Sequence, residues 1–124
     1  MAIISPSLPI TLEGDRVNLK ELCAHLQNRR RMYLHDDRYS TAVSFIEGFN
    51  VALDGEPLKG FQPWLAGRIR GGESILHWAY LVASVRTPEV LEGRLRLDQI
   101  PSDYDKVLVV DLLRLIEEFL ALTS

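Results

Sequence analysis

The segment that begins at Arg31 and runs into the tryptophan at position 78 constrains the fold more than any other part of this chain. It contains RMYL, YSTAVSFIEGF, GFQPWLAGRIRGG and HWAYLV in that order, so that aromatic residues and glycines hold defined places within a helical spacing. Apolar residues at intervals of three and four turn one face of each helix toward a core. No catalytic or cofactor motif lies among them. The segment therefore indicates a packing and recognition scaffold rather than a reaction site.

Length and composition indicate one globular domain. The chain has 124 residues, of which 47% are hydrophobic and 25% charged, which is typical of a folded protein. No apolar run reaches the roughly 20 residues of a membrane-spanning helix, and Pro6 and Pro9 interrupt a start that makes a poor signal peptide. A single cysteine, Cys23, excludes an internal disulfide framework and suits a reducing compartment. We therefore expect a cytoplasmic protein with one domain over residues 1–124.

The first part of the chain predicts an extended arm followed by a capped helix. Prolines interrupt residues 1–17, which we interpret as an N-terminal arm. Asn18 and Glu21 have the spacing of a capping box, in which each side chain accepts a hydrogen bond from the backbone of the other residue. An apolar stripe at helical spacing follows, formed by Leu19, Leu22, Cys23 and Leu26. This helix is expected to fade in the run Arg29–Arg31.

A second helix is predicted from about Arg38 to Leu53, with Asp37 as its N-cap. Its inward face is expected to contain Ala42, Val43, Ile46, Phe49 and Leu53, and Phe45 is expected to join the core. Gly48 lies inside this helix, where glycine costs up to roughly 1 kcal/mol relative to alanine. We therefore expect another element to approach closely there. Asp54-Gly55 ends the helix.

Two further helices are predicted in the middle of the chain. One spans about Phe61 to Ile69, with Pro63 in its first turn, where a missing N–H does no harm. The glycines at 71 and 72 stop it. The other spans about Glu73 to Val85 and is nearly apolar. Residues 86–100 are expected to form a loop with a short extended piece at 94–97.

The last helix is predicted from Ser102 to about Leu122, with Ser102 and Asp105 as a second capping box. Its apolar face is unusually broad and includes Leu112 and Ile116, so the helix is either central or meets a partner with its second face. Together these segments predict an all-α fold, a compact single-domain bundle of about five helices with an extended N-terminal arm.

Residue chemistry gives no catalytic, cofactor or metal site. Cys23 and His25 are two residues apart on a helix, so their side chains diverge. The sequence His35-Asp36-Asp37 lacks the further ligands that a zinc site needs, and we interpret it as capping and solvated polar residues. Ser74 could touch His77, but a serine nucleophile also needs an orienting acid and an oxyanion site. We therefore expect no enzyme activity, no cofactor and no bound metal.

Charge gives no case for nucleic-acid binding. The formal net charge is −3, whereas nucleic-acid binding needs a concentrated basic face. The run Arg29–Arg31 is the one cluster of like charge. It could bind a phosphate or an acidic surface, but the favoured interpretation is a solvated helix end whose cations suit the C-terminal dipole.

The aromatic and glycine motifs resemble those of small bacterial immunity-type proteins found with polymorphic toxins. Residues 29–82 carry the resemblance, in the order R-x-x-M-Y-L, F-x-x-G-F, G-F-x-x-W-L, a glycine pair and a tryptophan helix. Two departures are a missing glycine after Leu34 and the additional proline-rich arm. The resemblance implies an inhibitor that binds a cognate toxin domain and blocks it by occlusion.

If the resemblance holds, the inhibitor needs a surface that complements its toxin. Four acidic residues flank the second helix and could pair with a basic toxin cleft: Asp36, Asp37, Asp54 and Glu56. Their alternative role is capping and solubility. An alternative function for the whole chain is a non-enzymatic adaptor or a homodimeric regulatory module that uses the broad apolar face of the last helix.

Overall fold

The structure of this protein is a computed structural model, and it describes residues 17–123 except for the side chain of Thr123. Five α-helices lie in this part of the chain. The helices are α1 (Leu19–Asn28), α2 (Tyr39–Ala52), α3 (Phe61–Leu65), α4 (Trp78–Ser84) and α5 (Ser102–Thr123). No β-strand occurs between residues 17 and 123, so the predicted all-α class is confirmed. The predicted arm, residues 1–17, lies outside the described residues except for Val17.

α5 is the central element of the fold. It contacts each of the other four helices, and its broad apolar face is buried by them. The buried residues of that face are Leu108, Val109, Leu112, Leu113, Leu115, Ile116 and Phe119. The breadth of the stripe is thus explained by packing within the chain. No helix among the described residues is both long enough and apolar enough to cross a membrane.

The capping box at the start of α1 is confirmed. The Asn18 Oδ1 atom accepts from the Glu21 N–H at 2.8 Å, and the Glu21 Oε1 atom accepts from the Asn18 N–H at 3.1 Å. The predicted stripe on α1 is buried. At the other end, the Arg30 Nε atom donates to the Leu26 carbonyl at 3.1 Å, which agrees with a cation stabilising the helix C-terminus. Arg30–Met32 continues as a 3-10 turn.

The predicted N-cap of α2 is wrong. Arg38, not Asp37, holds the cap position, and its own side chain makes no capping bond. The N-terminus of α2 is capped instead from α5, where the buried Asp105 carboxylate accepts from the Tyr39 N–H at 2.9 Å. Asp105, which was predicted to form a capping box with Ser102, uses its Oδ1 atom for this bond across the fold. Because these residues are distant in sequence, local spacing could not reveal the pairing.

The inward face of α2 is confirmed in its first half and differs at its end. Ala42, Val43 and Ile46 are buried, and the aromatic residues Phe45 and Phe49 are half-buried against the same core. Leu53 is exposed, because the helix ends at Ala52. Asp54 and Gly55 then adopt positive φ angles of 60° and 77°, which confirms the turn predicted for this dipeptide.

The region between α3 and α5 is partly as predicted. α3 continues directly into a π-helical turn, Ala66–Arg70. Together, α3 and this turn match the predicted third helix. α4 begins at Trp78 rather than Glu73, so residues 71–77 form a loop. Residues 86–100 contain two 3-10 turns, Pro88–Glu92 and Leu97–Gln99, instead of a loop with an extended piece.

Candidate partner-binding surface

The outward side of α2 carries no charged side chain. Its exposed residues are Ser44, Gly48, Val51 and Ala52, which we call the α2 surface. Their spacing of three or four residues places them on one side of the helix. Glu47 is the only charged residue of α2, and its side chain is engaged on the neighbouring side. The solvent-facing side of an amphipathic helix usually carries charged or polar residues, whereas only Ser44 of these four is polar.

Gly48 lies at the centre of the α2 surface, and no described residue is the close neighbour that was predicted there. Apart from its own helix, no atom of residues 17–123 lies within 4 Å of the position that a Cβ at residue 48 would occupy. A glycine in such an exposed helix interior costs about 1 kcal/mol relative to alanine. Packing within the described chain therefore gives no reason for the glycine, whereas approach by another molecule would give one.

Acidic residues flank α2. Residues 36–56 contain five acidic residues and one arginine, a formal net charge of −4. Residues 98–118, which include most of α5, carry the same net charge from six acidic and two basic residues, but Asp98, Asp105 and Asp111 among them are paired within the chain. Because the acidic residues of 36–56 sit mainly at the two ends of α2, the uncharged α2 surface has acidic groups at both ends.

The predicted site residues Asp36 and Asp37 lie before α2 and are engaged within the chain. The Asp36 carboxylate accepts from the Arg38 N–H at 3.0 Å, and this bond, followed by one from the Thr41 hydroxyl, holds its pKa below the usual range. Asp37 pairs with Arg31 at 3.2 Å and lies 4.0 Å from the Lys106 Nζ atom. These internal partners offset much of the negative charge at this end.

The predicted site residues Asp54 and Glu56 lie at the opposite end of α2. Both are exposed, and neither forms a salt bridge with any residue that the structure describes. A helix of 14 residues is about 21 Å long at 1.5 Å per residue, so the two acidic pairs form two separate sites. Of the four candidates, Asp54 and Glu56 keep their charges available to a partner.

A loop beside α2, residues 71–77, is fixed to the helix by a histidine. The His77 Nε2 atom lies 2.7 Å from the Glu47 Oε2 atom, and the His77 Nδ1 atom accepts from the Ala79 N–H at 3.1 Å. Because Nδ1 is the acceptor, Nε2 carries the proton and donates it to Glu47. This pair has no signal in the sequence, because residues 47 and 77 are far apart along the chain.

On the side of α2 away from Glu47 and His77, Phe45 borders a row of aromatic rings. Tyr33 is stacked on His25 with 5.5 Å between ring centroids, and it lies 6.1 Å from Phe45 on α2. Tyr33 remains 38% exposed, and its neighbour Met32 is 71% exposed. An aromatic ring held between two others is pre-ordered, so a partner that covered it would lose little side-chain entropy.

The arginine run forms a shallow open depression of about 510 Å³ at the end of α1. Besides Arg29, Arg30 and Arg31 it is lined by Gln27, Asn28, Met32 and Asp37. Arg30 is already bound to the Leu26 carbonyl and Arg31 to Asp37, whereas the Arg29 guanidinium has no partner among residues 17–123. This arrangement favours the interpretation of a helix end over that of an anion site.

The residues considered for catalysis are not brought together. Cys23 is buried, and burial, with a further contribution from Glu117, raises the pKa of its thiol to about 12, so the thiolate is not formed at neutral pH. Ser74 lies outside the helix in which it was predicted, and its hydroxyl accepts from the Leu76 N–H at 3.1 Å. Within residues 17–123 no group of three or more histidine, cysteine, aspartate or glutamate side chains could hold a metal ion.

Comparison with known proteins finds no matching family model, no similar curated protein and no similar solved structure. The surface around α2 and the sequence resemblance remain as the guides to function.

Proposed function

We propose that this protein is an immunity-type inhibitor that acts in the cytoplasm by binding a cognate bacterial toxin domain and occluding it. The observation that supports the proposal most directly is the uncharged α2 surface, beside which Asp54 and Glu56 are exposed and form no salt bridge with any described residue. A toxin domain with a basic cleft, such as one that acts on nucleic acid, would complement their charges. In this proposal the protein carries out no reaction and needs no cofactor.

The arrangement of charged and uncharged residues suits fast and specific association. Asp54 and Glu56, whose charges no described cation offsets, act over distance and steer a basic partner toward this end of α2. The centre of an interface, in contrast, is best formed by uncharged groups, because burying an unpaired charge is costly. The α2 surface meets this requirement, and Gly48 allows a partner backbone to approach closely.

The experiment begins with the neighbouring genes, one of which is expected to encode the cognate toxin domain. Co-expression is expected to restore growth of cells that make the toxin, and the mixed proteins are expected to form a stoichiometric complex by size-exclusion chromatography. The association rate should fall as salt rises, because the Debye length shrinks from about 10 Å at 0.1 M to about 3 Å at 1 M. A toxin that kills co-expressing cells and elutes separately from this protein would contradict the proposal.

The alternative is an adaptor or a homodimeric module. It was based on the broad apolar face of α5, and that face is covered by the other helices within the described chain. The same chromatography separates the two functions. A dimer of this chain alone, with no effect on the toxin, would favour the alternative.

A further inference from the structure

Ile75 is fully exposed at the tip of the 71–77 loop. Its relative exposure is 103%, the highest among the large hydrophobic residues that the structure describes. The sequence placed it in the apolar stretch of a helix, but the helix begins three residues later, at Trp78. A scattered exposed apolar side chain is common on protein surfaces and needs no explanation. Ile75 differs because of how its backbone is held.

The backbone on both sides of Ile75 is fixed by one side chain. The Gln62 Nε2 atom donates to the Ser74 carbonyl at 2.8 Å and to the Leu76 carbonyl at 2.7 Å. The Ser74 hydroxyl also accepts from the Leu76 N–H at 3.1 Å. These three bonds hold the residues before and after Ile75, yet they bury none of its side chain. Gln62 itself lies on α3 and is half-buried, so the loop is fixed to the body of the fold.

Fixing a protruding apolar residue in this way favours binding. An exposed side chain on a mobile loop loses backbone and rotamer freedom when it is captured, which offsets the gain from burial. At Ile75 the backbone part of that loss has already occurred on folding. A β-branched side chain also has few χ1 rotamers to lose. Burial of Ile75 in an apolar pocket would therefore contribute most of its hydrophobic gain to affinity.

The position of Ile75 joins it to the α2 surface. Ile75 is two residues from His77, at most about 7 Å along the backbone, and His77 is hydrogen-bonded to Glu47 of α2. Val51, a member of the α2 surface with a relative exposure of 65%, is one helical turn from Glu47. A partner that covers the α2 surface on this side can therefore reach Ile75 within the same interface.

We propose that Ile75 is the apolar anchor of the partner interface, and that it inserts into an apolar pocket beside the basic cleft of the toxin domain. Gln62 is the positioning residue, because it holds the backbone on both sides of the anchor. The inference rests on the proposed inhibitor function and identifies the side chain on which affinity for the toxin depends most. Steering by the acidic groups would bring the partners together, and the buried isoleucine would then slow dissociation.

The test measures binding of the purified toxin domain to Ile75→Ala and Ile75→Asp. Truncation of such an anchor to alanine should weaken affinity about 10- to 100-fold. Ile75→Asp should weaken it further, and both losses should come mainly from faster dissociation. The melting temperature should stay at the wild-type value, since the side chain is not packed in the free protein. The matched control is Val110→Ala, an exposed apolar residue of α5 with a relative exposure of 53%, which should change affinity less than twofold.

The role of Gln62 is tested by coupling. Gln62→Met keeps the length of the side chain and removes both N–H donors, so the loop loses its fixed backbone. Affinity should fall several-fold, and Ile75→Ala should then cost less in the Gln62→Met protein than in wild type, as a double-mutant cycle measures. A loss of stability alone would leave the cost of Ile75→Ala the same in both backgrounds, and that result would contradict the positioning role.

The outcomes separate this inference from the proposed function. If the wild-type complex forms and both Ile75 variants bind as tightly as wild type, the anchor is disproved and the inhibitor function stands. If the wild-type protein neither binds nor neutralises the toxin domain, both proposals fall together.

Discussion

α5 and α2 are both amphipathic helices, but they use their surfaces in opposite ways. α5 is enclosed by the other four helices, and even its buried acidic residues have partners: Asp105 accepts from Tyr39, and Asp111 from Arg86 at 2.5 Å. In the described chain no buried side-chain nitrogen or oxygen lacks a hydrogen bond. α2 buries one side, and its other side is uncharged and not covered by any residue that the structure describes. Stability is therefore concentrated around α5, and recognition can be concentrated around α2, so the two should respond to different substitutions.

The largest expected effect is on the interior of α5. Ile116→Ala or Leu112→Ala removes a fully buried side chain, so each should lower the free energy of unfolding by about 2–5 kcal/mol. Phe49→Ala on α2 should lower the free energy of unfolding by less than the truncation of a fully buried phenylalanine would, because Phe49 is only half-buried. Denaturant unfolding monitored by circular dichroism measures all three. An Ile116→Ala protein with an unchanged midpoint would contradict the central role of α5.

A second, smaller effect is expected where the two helices meet. Asp105→Ala removes the carboxylate that accepts from the Tyr39 N–H and leaves a buried donor without a partner. The free energy of unfolding should fall by about 1–3 kcal/mol, measured in the same denaturant experiment. The comparison is Asp103→Ala, which truncates an exposed acid in the first turn of α5 and should cost under 1 kcal/mol. Equal losses would show that Asp105 acts only through the dipole of its own helix.

Short-range patterns predicted the parts of the fold that depend on neighbouring residues. Sequence spacing predicted the capping box at Asn18, the turn at Asp54-Gly55 and the extent of α5. In each case the atoms involved belong to residues that are close together in the chain. The all-α class follows in the same way, from the helical period of the apolar residues.

Contacts between residues that are distant in sequence could not be predicted from local spacing. Asp105 caps α2 from 66 residues away, and His77 reaches Glu47 across 30 residues, so neither pair has a local signal. Ile75 was assigned to a helix because its neighbours are apolar, whereas Gln62 holds its segment as a loop. The predicted acidic residues are located as expected at the ends of α2. Which of them are already paired depends on Arg31 and Lys106, and only the fold brings those cations near.

The unpaired acidic residues offer a test that leaves the core untouched. Asp54→Asn with Glu56→Gln removes two charges, and asparagine is suitable because it tolerates the positive φ of residue 54. Association with the toxin domain should slow by roughly threefold to tenfold at low salt and by little at high salt. Stopped-flow association at the two salt concentrations measures the effect.

The control for this test is Glu89→Gln with Asp103→Asn. These residues are exposed, form no salt bridge with any described residue and lie outside residues 36–56, and the double substitution changes the net charge by the same amount. Steering that depends on position predicts a smaller effect for the control. If both double variants slow association equally, only the overall charge matters, and the acidic ends of α2 have no special part in recognition.

The smallest expected effect, at Gly48, tests the division between stability and recognition most directly. Gly48→Ala adds a methyl group where no atom lies within 4 Å, so it should raise the free energy of unfolding by up to about 1 kcal/mol through helix propensity. If a partner backbone approaches the α2 surface closely, the same methyl group should weaken binding to the toxin domain. Gly67→Ala is the matched control, because Gly67 is exposed, helical and equally open, but lies in the Ala66–Arg70 turn. It should leave binding unchanged. A Gly48→Ala protein that is more stable and still binds as wild type would show that no partner approaches α2 closely at its centre, and the interface would then have to lie toward the 71–77 loop or the aromatic row at Tyr33.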